Sequence, residues 1–163
     1  MRSRGAGEIH QLLAIVDQAY DRRSWHGTNL RGAVRRVTPE QAAWRPAPAR
    51  HNIWEIIVHA AYWKYVVRRR LVGERRGSFA LKGSDWFVRP DDLTEAAWRA
   101  DLALLDETHR SLRAAIADLP PLALSRGPRG SQVSNVEIIS GIAAHDLYHA
   151  GQIQLLKRLL AGG

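Results

Sequence analysis

The chain has 163 residues, 45% of them hydrophobic and 25% charged, and contains no cysteine. That is the length of one ordinary domain with a substantial core, and the balance excludes a disordered or membrane-embedded chain. Without thiols there can be no disulfide, thiolate metal ligand or cysteine nucleophile, so any metal must be held through nitrogen and oxygen. The formal charge of +8 is carried almost wholly by arginine, in scattered short clusters such as Arg22-Arg23 and Arg68-Arg69-Arg70. With no single basic block and no docking element, it reads as a solvated surface, and no nucleic-acid partner is expected.

Residues 53–67 form the longest nearly apolar stretch, but Glu55, His59 and Lys64 interrupt it. It also falls short of the roughly 20 residues that a bilayer crossing requires. The opening Met1-Arg2-Ser3-Arg4-Gly5 is not followed by the apolar run of a signal peptide, so a cytoplasmic protein without a membrane partner is expected.

In chain order, residues 8–22 read as the first long helix, with Ile9, Leu12, Leu13, Val16 and Tyr20 at helical spacing. A weaker amphipathic stretch passes through Leu30, Val34 and Val37. Thr38-Pro39-Glu40-Gln41 then signals a short helix, with a capping threonine, proline at the first position and glutamine three residues on. Asn52 and Glu55 form a capping pair that opens the second long helix, which runs to about Val72 before Gly73. Its apolar residues go nearly all the way round, so it is buried on most sides. Residues 73–90 form a long polar connection containing Asp85-Trp86-Phe87. The third long helix runs from about residue 92 or 94 to 119, with Leu102, Leu105, His109, Leu112 and Ile116 inward and Pro120-Pro121 as its stop. After a loop at residues 126–131, Ser134-x-x-Glu137 is a capping box opening the last helix, which continues to about residue 160. The fold class is therefore all-α, one domain over residues 1–163, built as a four-helix bundle with a long loop between helices 2 and 3.

Three histidines carry the chemistry. His145 and His149 stand at i and i+4, which stacks them on one face of the last helix, and His59 lies in the buried second helix. If the three converge, they hold a divalent metal through nitrogen and leave a coordination position open, as catalytic sites do. Glu55, Tyr62 and Gln152 are the candidate catalytic or orienting residues: a carboxylate and a phenol beside His59, and an amide one turn beyond His149. For Glu55, helix capping is the competing account. Gly141, one turn before His145, is expected to remove bulk beside the site. His145-Asp146-Leu147-Tyr148-His149 differs from the zinc-protease helix by aspartate in place of glutamate, a shorter reach that argues against a peptidase. His109 reads as structural, while His26 and His51 are placed at most on a pocket border.

Several segments taken in order resemble the DinB/YfiT-like superfamily of helical-bundle proteins. They are Trp25-His26-Gly27, residues 38–46, Ile53-Trp54-Glu55-Ile56-Ile57-Val58-His59, Asp85-Trp86, and residues 145–153 with their H-x3-H pair. The resemblance implies a divalent metal, nickel or zinc, on His59, His145 and His149, and a homodimer. It also implies a thiol S-transferase or related enzyme that uses a low-molecular-weight thiol such as bacillithiol or mycothiol on a small-molecule substrate. Two alternatives remain: a metal-dependent hydrolase, and a non-catalytic metal or small-molecule binding protein.

Overall fold

The computed structural model describes residues 4–128 and 130–162; Met1-Arg2-Ser3, Arg129 and Gly163 lie outside the described residues. The described residues are helical without any strand. Four long helices, α1 (Arg4–Tyr20), α4 (Ile53–Val72), α5 (Glu95–Ala117) and α6 (Asn135–Gly162), are accompanied by short α2 (Leu30–Ala33) and α3 (Pro39–Ala43). One 3-10 turn (Pro121–Ala123) follows α5. Helix α4 packs against both α5 and α6, and α1 lies against α6 and α5.

The start signals operate largely as the sequence predicts. Thr38 Oγ1 accepts from Gln41 N, and Gln41 Oε1 accepts from Thr38 N at 3.0 Å, closing the box that opens α3. Ser134 and Glu137 do the same before α6. Asn52 caps α4 by accepting from Glu55 N at 2.7 Å. The reciprocal half of that cap is replaced: the Glu55 carboxylate turns to Arg45, His51 and the Arg89 N–H instead. Helix α4 ends at Gly73, whose φ of 73° is left-handed, a conformation that costs glycine nothing.

Helix α4 is buried from Ile53 through Ala61, as its all-round apolar pattern requires. Two apolar clusters divide the core. One gathers Trp54, Trp98, Leu30 and Ile153, and the other gathers Val16, Leu112, Ile116 and Ile139. Polar groups lie in the interior as well. Lys64 of α4 and Asp146 of α6, both fully buried, form an ion pair. Lys64 also sits 4.9 Å from the centroid of the Tyr20 ring, on which His109 stacks at 3.7 Å. Tyr20 in turn donates to Asp106, which is held by Arg31. The structural reading of His109 is thus met: its ring packs in the core, and burial, reinforced by the charge of Lys64, pushes its pKa down to about 3.

Two outcomes follow from these buried groups. Removing one member of a buried ion pair strands the other, so Lys64→Met should cost about 3–5 kcal/mol in urea unfolding, while Lys64→Met with Asp146→Leu should recover most of the loss. The unfolded chain protonates the His109 imidazole below about pH 6.5, whereas the folded chain resists until about pH 3. The folded state therefore loses stability as pH falls through that window. His109→Phe, which keeps a ring on Tyr20, should retain on the order of 2 kcal/mol more of its pH 7 stability at pH 4.5.

Candidate metal centre

Helices α4 and α6 bring His59, His145 and His149 together, with one ligand atom from each lying within 4.8 Å of the others. The Nε2 atoms of His59 and His145 are 3.1 Å apart, and those of His145 and His149 are 3.0 Å apart. A tetrahedral ion with bonds of about 2.0–2.1 Å would hold its nitrogens about 3.3 Å apart, close to both of these separations.

The other ring nitrogens explain why the Nε2 atoms face inward. His59 Nδ1 donates to the Asp85 carbonyl at 2.9 Å, with Asp85 Oδ1 at 3.2 Å. His149 Nδ1 donates to Gln152 Oε1 at 2.7 Å, and Gln152 Nε2 donates to the Tyr148 hydroxyl at 3.1 Å. These hydrogen bonds fix the tautomer of both rings and turn their Nε2 lone pairs to a common point. His145 Nδ1 is buried with no partner among the described residues. Lone pairs converging at 3 Å repel one another unless a cation lies among them, so this donor set fits a divalent ion. Three protein nitrogens leave a further coordination position for another molecule.

Electrostatics point the same way. Burial pushes His145 down to about 3 and His149 down to about 4, with the neighbouring histidines adding to both. Burial likewise lowers His59, against the opposing pull of the Asp85 carbonyl. All three rings are neutral near pH 7, the protonation state that ligates metal. Asp146, although it lies between two of these histidines in sequence, faces Lys64 and has no bond to the cluster.

The surrounding residues sort differently from the sequence expectations. Gln152 accepts the hydrogen bond that orients His149. Tyr62 packs against Phe79 and Phe87 and is not among the groups lining the adjoining cavity. Glu55 is buried; burial raises its pKa, but bonds from Arg45, His51 and the Arg89 N–H outweigh this and hold the carboxyl below its usual range. Gly141 is exposed, and a methyl group placed there would meet nothing, so it clears no space at the site. Each step of four residues turns a helix face by about 40°, which carries the stripe from exposed Gly141 through half-buried His145 to buried His149.

Three residues gain roles that the sequence does not assign: Asp85 and Trp86 enter there as a matched segment, and His51 as a pocket-border residue, which it is. Trp86 is sandwiched between two imidazoles, His51 at 3.6 Å and His59 at 3.9 Å, both nearly parallel to it. Asp85, with φ of 65°, is one of two non-glycine residues in the left-handed region among the described residues, and its side chain is anchored by Trp63 Nε1 at 2.7 Å. Strain of this kind persists only where the surroundings hold it, and here it accompanies the carbonyl that orients His59. His51 donates Nδ1–H to Glu55 at 2.9 Å, which leaves Nε2 as its proton-accepting atom. A cavity of about 460 Å³ adjoins the cluster, with His149, Gln152, Trp86 and His51 in its wall.

These features define an all-helical protein with a buried three-histidine centre opening on a cavity. The family profile of the DinB superfamily matches residues 22–153, and the chain belongs to that superfamily. No curated protein and no solved structure matches the chain significantly. No helix among the described residues is long and apolar enough to cross a membrane.

Because Gln152 fixes the His149 tautomer, Gln152→Leu should weaken zinc binding by about 10–100-fold in a competitive chelator titration while leaving thermal unfolding of the metal-free protein within a few degrees.

Proposed function

We propose that this chain is a divalent-metal-dependent enzyme, an S-transferase that joins a low-molecular-weight thiol to an electrophilic small molecule. The observation that carries this reading is the convergence of three neutral imidazole nitrogens beside a mostly apolar cavity. The mutual packing of α1, α4, α5 and α6 supports a four-helix bundle as the frame. His59, His145 and His149 would hold nickel or zinc, which lowers the pKa of a bound thiol and so provides a nucleophile near neutral pH.

The chain's own residues divide the remaining work. Gln152 and the Asp85 carbonyl keep two imidazoles in register. Trp86, stacked flat on His59, shields that ring on its cavity side. The His51–Glu55 pair offers a proton acceptor at His51 Nε2, with Arg45 holding the carboxylate in place. A substrate seated on the apolar lining would exclude water from the reacting groups.

Metal analysis of untagged protein should find close to one equivalent, and His149→Ala should lose it. A panel of thiols mixed with epoxides and chlorinated aromatics should then show electrophile loss that requires thiol, protein and metal together. Full occupancy without thiol-dependent turnover would assign the centre to binding alone. Absence of metal from the wild-type protein would end the proposal.

A further inference from the structure

The cavity beside the histidines has a composition that selects for a particular kind of molecule. Leu155, Leu156 and Leu159 contribute its α6 wall, while Pro46, Ala47 and Ile56 come from the loop before α4 and from α4 itself. Leu155 and Leu159 are 58% and 48% exposed, although they lie in a concave apolar wall. Exposed leucines grouped in a hollow, unlike single ones scattered over a surface, indicate something that covers them.

One full charge stands in this lining. Arg50 is the one lysine or arginine in the wall among the described residues, and no carboxylate lines it. Neighbouring Arg45 and His51 are both committed to Glu55. The Arg50 side chain has no ion pair or hydrogen bond among the described residues. Its backbone is nonetheless held on both sides: Arg50 N donates to the Ala47 carbonyl at 3.0 Å, and the Arg50 carbonyl accepts from Arg45 Nη1 at 2.7 Å. The loop thus fixes the backbone from which an unmatched guanidinium reaches the apolar wall.

We propose that the cavity binds an amphiphilic carboxylate, its apolar body against the α6 leucines and its anionic group on Arg50. This rests on the cavity's role as the substrate site of the proposed enzyme and names the class of that substrate. The span from Gln152 to Leu159 is roughly 10 Å along the helix, which suits a medium-length apolar chain. The volume of this open groove, about 460 Å³, lies in the range of small-molecule sites. A guanidinium and a carboxylate form the stronger, two-pronged kind of hydrogen bond, which supplies the discrimination.

The test uses metal-free protein, decanoate, its uncharged analogue decanamide, and short-chain butyrate, followed by calorimetry and by tryptophan fluorescence. Decanoate should bind at least about tenfold more tightly than either comparison compound. Arg50→Gln, a change on an exposed side chain, should bring decanoate to the affinity of decanamide and leave decanamide unaltered. Leu155→Asn should weaken both long-chain compounds. His145→Ala, whose ring is not in the cavity wall, should lose metal yet keep decanoate binding, so the metal reading and this one fail separately. Equal binding of decanoate and decanamide, binding of butyrate as tight as decanoate, or an unchanged Arg50→Gln variant would overturn the proposal. A dimer that Leu155→Glu dissociates and that excludes decanoate would assign the groove to a second copy of the chain and would overturn it too.

Discussion

The Lys64–Asp146 ion pair is the constraint on which the rest of the arrangement depends. It joins α4 to α6, the two helices that carry the three histidines, with both charges fully out of water. Apolar surfaces tolerate sliding, because one leucine contact resembles the next. A buried charge tolerates none, since any shift that separates the partners leaves an unsolvated ion. The pair therefore opposes any slide of α4 along α6 that would part His59 from His145 and His149. It also explains the aspartate in the H-x3-H segment: α6 presents its histidines to the cluster and its carboxylate to Lys64.

Much of the fold was legible because helices announce themselves through period and termini. The box at Thr38–Gln41, the cap at Asn52 and the stop at Gly73 all act as their residue types dictate. The histidine pair was legible for the same reason, since i and i+4 share a helix face whatever surrounds them. Gln152 followed from the same spacing.

The residues that were not legible lie off the helical lattice or do work that side-chain identity does not encode. Asp85 orients His59 through its carbonyl, a group that every residue possesses, and its left-handed backbone has no signature in a stretch where glycine would be the usual choice. His51 and Trp86 stack across a gap of 35 positions in the chain. For Glu55, which the sequence offers both as a candidate and as a cap, the actual partners were not legible: Asn52 fulfils its half of the cap, yet the carboxylate is drawn to nearby cations. Gly141 misled because four residues are not a whole number of turns, and the small drift puts it in solvent.

The indole of Trp86 has a consequence beyond holding His59 in place. Stacked between two imidazoles, it covers His59 on the cavity side, so that of the three histidines His149 alone, beside Gln152, lines the cavity. The centre consequently has a front and a back. Whatever the cavity receives therefore meets the His149 edge of the three nitrogens before the His59 edge.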